Sequence, residues 1–541
     1  MNALKHITAL LACFMMCMAG HAVQIRKEPG RYITESLQHT DRDNPVLWTE
    51  SQPSLLTRAV APGGYAVKDI PRTGTIEYPL ILVDFIDRQF TIRDTLALLE
   101  RYDRMFNEQG YTDTAVYVRQ GITYYGANGS VSDYFRDQSY GKYTPKFVII
   151  GPVHPSKSYS FYGKGKDTNV DLLVHEICDS IHAKGLADLS GFARNGNMDQ
   201  LSIIFAGRGE NYQGSDPNTI WPQADTIWYE RNGVGNIKFV CTCELFWDSD
   251  SILDGIGTFC HEFSHTLGLP DFYNTVSDND SKNNAAMGYW SIMDYGNYED
   301  GGFSPVGYTA FEKYSLGWMD LEEITYAGTY VLNDISCAPD PDEEIHTAYR
   351  LSTGYDDQFI ILENHMKTGW YKYHASQGLM VTSVNYNNNN WVNNTVNNSL
   401  KCYRILPADN KYDRESNAGD LFPYLGIDSV TTLGTPILKA GGSYPSLSIY
   451  GISIIDSLVS FRASPDMPTK AAAPPDMEIS IDMIQGELSV SAPTGSRITV
   501  YDISGKKVVE TATTQPQQQI SLPGKGIWIV KCGDITRKVR N

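Results

Sequence analysis

HEFSHTLGLPD, residues 261–271, governs how the rest of the chain is read. Two histidines stand four apart, a glutamate follows the first, and a glycine and then an aspartate come at steps of three. Around them Ile252, Ile256, Phe259, Phe263 and Leu267 recur at three and four, which predicts one helix over 252–267. On that helix His261 and His265 share a side one turn apart, so two imidazoles can converge on one ion. Glu262 lies about 100° further round. It is close to the ion but poorly placed to bind it alongside both histidines, which suits a general base. Zinc lowers the pKa of a bound water to about 7, and a carboxylate beside it can take the proton as the water attacks a carbonyl. Gly268 can adopt positive φ and end the helix, turning the chain so that Asp271 supplies a third ligand. A fourth position kept open separates a catalytic zinc from a closed structural one. With 11 histidines in 541 residues, unrelated polar residues on an amphipathic helix are a poor account of this pattern.

Length and composition set the bounds. A chain of 541 residues suggests about three or four folded units. The 44 basic and 63 acidic residues give a formal charge of -19, which argues against a nucleic-acid or anionic-lipid partner. The hydrophobic share of 42%, with 34 tyrosines and 46 glycines, fits a β-rich, loop-rich globular protein rather than a disordered one. Residues 1–22 carry one lysine, an apolar run from Ile7 and small residues before Val23, the pattern of a signal peptide cleaved near Ala22. Lipidation at Cys13 is the alternative. No other stretch reaches the roughly 18 apolar residues of a membrane helix, so the mature chain is expected to be exported, soluble and without a transmembrane helix. Seven cysteines remain after such a cut, enough for at most three disulfides, and Cys241 and Cys243 read as strand residues.

The chain divides by pattern. Residues 23–74 are polar and aperiodic, as in a leader or propeptide. From 75 to 325 strands and helices alternate. YPLILVDF (78–85) is followed by a helical stretch over 93–108, a capped helix from Ser130 to Gly141, the strand KFVIIG, a helix over 168–183 and the strand LSIIFA (201–206). From 326 to 463 short β-type runs at 330–332, 359–362, 379–384 and 447–455 predict an all-β module. Its tract NYNNNNWVNNTVNN, from Asn385, reads as a long loop tacked down by Trp391. A Pro/Ala-rich linker (464–476) precedes a small β-sandwich over 477–541.

The 261–271 stretch resembles the metzincin zinc peptidases, whose motif H-E-x-x-H-x-x-G-x-x-H is followed by a methionine turn. SIMDY, residues 291–295, looks like that turn. The resemblance implies Met293 as the floor beneath the metal and Tyr295 as a phenol for zinc or for the developing oxyanion. The chain departs from the pattern at Asp271, where most members have histidine. Aspartate there, followed by Phe-Tyr, is similar to immune inhibitor A-type secreted bacterial metalloproteases, as are AGRGENY, NTIWPQ, GYWSIMDYG and QFIILENHMKTGW. That family implies an α+β metzincin-like domain, endoproteolysis of proteins or peptides with one catalytic zinc, and calcium as a candidate stabilising ion. VSDNDSKNN (276–284) has oxygen-rich side chains but no EF-hand spacing, so a solvated loop is its default.

SRITVYDISGKKVV and GIWIVKCGDITRKVRN resemble the C-terminal sorting domain of type IX secretion substrates. The resemblance implies the type IX machinery as a partner and release or attachment at the outer surface of a Gram-negative Bacteroidetes-type bacterium. The expected product is a monomeric secreted zinc endopeptidase using His261, His265 and Asp271 for the metal, Glu262 and Tyr295 for catalysis, and Gly268 and Met293 for structure. The competing expectation is an adhesion protein on the same scaffold with a structural zinc. His175 and His182, two turns apart, are set aside as a metal pair, and Cys260, His365 and His374 are expected to pack.

Overall fold

YPLILVDF is apolar at nearly every step because its strand is covered on both faces. The structure, a computed structural model, describes residues 70–113, 117–119, 121–163, 169–213, 218–247, 251–275, 286–338, 345–355, 357–398, 402–411, 418–430, 448–464, 480–484, 487–491, 496–512, 517–532 and 535–541, with short strands at 32–33, 60–61 and 65–66. The signal peptide, Cys13, most of the leader, the 276–284 loop and nearly all of the 464–476 linker lie outside the described residues.

Strands β1 (Gly74–Val83), β2 (Tyr143–Val153), β3 (Met198–Arg208), β4 (Gln223–Arg231) and β5 (Val234–Leu245) form one sheet in the order β2-β1-β3-β5-β4. Neighbours run parallel except for β4, which lies antiparallel to β5 at the edge. The helices are α1 (Thr95–Asn107), α2 (Val131–Gln138), α3 (Val170–Ala183) and α4 (Gly257–Thr266). Leu80 and Leu82 join the core of α1, α2 and α4, while Ile81 and Val83 join the core under α3. That alternation is the two-residue period of a strand. Ser130 caps α2 through the reciprocal Ser130–Asp133 pair, and Asp94 caps α1 by accepting from the Ala97 N–H.

α4 is shorter than its periodicity predicts. Ile252 and Leu253 are drawn off by the end of β5: the Phe246 N–H donates to Ile252 O at 2.9 Å, and Leu245 bridges Leu253. The helix begins at Gly257, where a Cβ would stand 1.9 Å from the Asn297 carbonyl oxygen, so only glycine lets the two backbones pass. At ten residues α4 is too short to persist alone, and packing holds it. Phe259 lies 4.7 Å from Phe106, and Phe263 lies 4.8 Å from Phe135, centroid to centroid.

The later region is β-rich, as expected. β6 (Gly328–Leu332) pairs with Leu458–Ser464, which pairs with Ser448–Ile455. β7 (Ala348–Tyr355), β8 (Gln358–His365) and β9 (Gly378–Asn385) form the centre of a five-stranded sheet. All eight residues of β8 are buried. Ile360 and Leu362 pack toward the three-stranded sheet, whereas Phe359 and Ile361 pack into the same core as α4. The β region is therefore built onto the first unit. The Asn-rich tract departs from the expected loop in forming a short helix, α5 (Asn388–Val392), with Trp391 buried. Seven further strands from Ser480 to Arg540 make two small sheets around Leu488, Val490, Val500 and Val530. Cys178, Cys241, Cys243, Cys260, Cys337, Cys402 and Cys532 are not joined in disulfides, and the two expected in a strand lie in β5.

Phe263→Ala removes a fully buried ring from this core and is expected to cost about 3–5 kcal/mol. Denaturant unfolding should show that loss, while Leu96→Ala, at a side chain 65% exposed, should stay within about 0.5 kcal/mol of wild type.

Candidate active site

α4 brings His261 and His265 to one side, and the chain after it brings Asp271 back to meet them. Gly268 takes φ +104, a left-handed conformation open to glycine, and the Leu269 N–H reaches back to Ser264 O at 3.1 Å. That turn sets Leu269 O against His265 Nδ1 at 2.7 Å. His261 Nδ1 meets Ile292 O at 2.6 Å. Each carbonyl can only accept, so each Nδ1 carries a proton and each Nε2 is the atom turned to Asp271, where the neutral ring would offer a lone pair to a metal. Both Nε2 atoms lie 3.1 Å from Asp271 Oδ1. The three ligand atoms fall within 4.8 Å of one another, the one such group among the described residues.

Asp271 Oδ1 is buried and makes no hydrogen bond. Burial opposes ionisation of Asp271, yet the positive charge the imidazoles carry when no metal is bound, His265 foremost, holds its carboxyl well below the usual range. Two neutral imidazole nitrogens and one carboxylate oxygen are the donor set of a tetrahedral zinc site, whose edges are ~3.3 Å for bonds of ~2.05 Å. The residues fit zinc.

His261, Glu262, Asp271 and Tyr295 line a cavity of about 680 Å³. Glu262 Oε2 stands 4.0 Å from His265 Nε2. Met293 is fully buried in the turn below, where its carbonyl accepts from the Phe272 N–H at 2.7 Å. Asp294 Oδ2 ties the turn by accepting from the Met287 and Gly288 N–H groups at 3.0 and 2.9 Å. Gly268, Asp271 and Met293 thus lie on the segments that meet around the two histidines. His175 packs against Tyr229 and Glu176 accepts from Ser156 and Tyr162, so neither belongs to the cleft. His365 and His374 are buried.

Three neighbours were not foreseen from sequence: Asn394, Asn397 and Tyr273. Asn394 grips Asp271 twice: its Nδ2 donates to Oδ2 at 2.5 Å, and its Oδ1 accepts from the Asp271 N–H at 2.6 Å. Oδ2 is thereby engaged and Oδ1 is left for the metal. Trp391 Nε1 donates to Gly268 O at 3.0 Å, and Asn397 Nδ2 donates to Phe272 O at 2.7 Å. The Asn-rich tract follows the ligand loop along its length. Tyr273 also lines the cleft, and burial first, then Asp271 and Glu262, keep its phenol protonated. Its place directly after Asp271-Phe272 was the available signal, while nothing in spacing points to Asn394.

Residues 75–322 match the immune inhibitor A peptidase M6 catalytic domain. That span contains every site residue above except Asn394, Trp391 and Asn397. The chain also aligns with the Pre-pro-metalloprotease PrtV of two Vibrio cholerae serotype O1 strains, at 25% identity over 327 residues, covering 50% of this chain and 33% of each relative. The chain therefore spans about a third of the length of these curated relatives. Both likenesses support a metalloprotease of the immune inhibitor A type. No described helix is long and apolar enough to cross a membrane.

Asn394→Ala leaves Asp271 unoriented and is expected to weaken zinc affinity about 10–100-fold. Competition with a chromophoric chelator measures it, and Asn389→Ala, at an exposed side chain of the same tract, should bind zinc as wild type does.

Proposed function

We propose that the chain is a secreted zinc endopeptidase of the immune inhibitor A type. The observation that carries this reading is the buried trio His261, His265 and Asp271 beside Glu262 in an open cleft. Zinc held by that trio supplies Lewis acidity and lowers the pKa of water at the site. Glu262 accepts the proton of the attacking water and passes it to the leaving amine. Tyr295 directs its phenol O–H at the oxyanion that develops on the scissile carbonyl. Tyr273, kept protonated, lies on the same wall with its phenol toward Asp271. Met293 and Gly268 act through the backbone that carries Ile292 O and Leu269 O to the imidazoles.

Polypeptides are the substrate class, a reading supported by the peptidase family match. The apolar start of the chain and the likeness of its last strands to type IX sorting domains support export to the outer surface or beyond.

Purified protein loaded with zinc should cleave casein, and a chelator should stop it. Glu262→Gln should lower the rate by at least about 10²–10⁴-fold while keeping its zinc. Equal cleavage by wild type and Glu262→Gln, or cleavage indifferent to the chelator, would overturn the reading.

A further inference from the structure

Next to the metal cleft lies a second cavity of about 520 Å³. The two share a wall of Tyr212, Trp247, Tyr289 and Tyr298. On another side Tyr125 and Tyr373 stack, 5.4 Å apart and inclined by 14°. Glu299, Asp300 and His374 also line the space.

These polar groups are short of donors. Asp300 Oδ1 accepts from the Tyr125 N–H at 2.8 Å, but Oδ2 is buried without a hydrogen-bond partner. His374 is 2% exposed, and neither ring nitrogen has a hydrogen-bond partner. Burial, with His365 and Lys367 behind it, holds His374 well below its ordinary pKa, so the ring is neutral and one nitrogen is a bare acceptor. Burial first and Asp300 second push the Glu299 carboxyl up to about 7, a group that a bound cation would ionise.

A ligand that brings N–H donors would complete these groups. A single metal ion is poorly served, because these groups do not converge as the zinc ligands do. Acceptors spread round an aromatic box suit a planar cation with several N–H groups. No Lys or Arg is among the lining residues: Lys372 Nζ donates to Asn128 Oδ1 and lies 4.7 Å over the Tyr373 ring, Arg119 lies over Trp247 at 4.2 Å, and Lys367 is exposed, the two lysines acting on Asp300 and Glu299 from outside.

We propose that this cavity is a side-chain subsite for arginine in the polypeptide substrate, with the guanidinium held between aromatic faces by Glu299, Asp300 and His374. The proposal rests on reading the adjoining cleft as a peptidase site. It makes Glu299 a specificity residue.

The test is calorimetric titration of the zinc-loaded protein with Nα-acetyl-arginine amide and with the matching lysine, leucine and phenylalanine amides. Arginine should bind about tenfold or more tighter than leucine, and Glu299→Gln should weaken arginine by about tenfold while barely moving leucine. In peptides differing only by arginine or leucine at one position, kcat/KM should favour arginine in wild type and lose that preference in the variant. Equal binding of all four amides, tighter binding of the phenylalanine amide, or an unchanged ranking in a folded Glu299→Gln protein would overturn the subsite. The wild-type ranking decides even if the variant does not fold. Cleavage of casein without an arginine preference defeats the subsite alone, whereas failure to cleave casein defeats the peptidase reading whatever the amides do.

Discussion

Two backbone carbonyls hold the site in register. Ile292 O and Leu269 O each engage an Nδ1, and that engagement turns both Nε2 atoms toward Asp271. A helix alone fixes the spacing of two histidines but leaves each ring free about its side-chain torsions. The carbonyls remove that freedom, and each is delivered by a local device. Leu269 O arrives through the left-handed turn at Gly268, and Ile292 O through the turn that Asp294 ties from within. The Ser291 hydroxyl extends the chain of support by donating to Glu312 Oε1 at 2.5 Å, in the capping box of helix Ala310–Ser315.

That support crosses into the β region. Ala310 N–H donates to Glu363 Oε2 at 2.7 Å, on a strand whose odd-numbered apolar residues Phe359 and Ile361 sit in the α4 core. A sheet buried on both faces cannot lift away without exposing apolar surface at about 25 cal/mol per Å². The Asn-rich tract that follows β9 is therefore fixed relative to the ligand loop. Asn394 is a dependable partner for Asp271, although 123 residues separate them in sequence. Metal affinity and the packing of the β region are coupled through this contact.

The pairing of His261 with His265 was legible because its geometry is local. Four residues make one turn, and a glycine three further on ends it. The central strands were legible for a similar reason: a continuous apolar run of strand length implies cover on both faces, and Tyr78–Val83 has it. Two things escaped. The start of α4 was misread because Ile252 keeps the helical period while its backbone bonds to β5, and periodicity does not say which partner a backbone chooses. Asn394 was invisible because asparagines in a polar tract look like a solvated loop. Their role depends on which surface the tract is laid against, and that is set by Trp391 packing beside Phe272 and Phe311.

The two cavities obey one rule with different outcomes. Buried acceptors without donors are costly, roughly 1–3 kcal/mol for each group left unsatisfied, and a fold retains them where a ligand supplies what is missing. At the trio the ligand atoms lie within 4.8 Å of one another, a spacing that suits a single ion. In the neighbouring cavity they are dispersed among aromatic rings, so the complement has to be an extended cation with donors on several sides. The spacing of the acceptors thus separates a metal from a guanidinium. The wall shared by both spaces, Tyr212, Trp247, Tyr289 and Tyr298, sets the one beside the other.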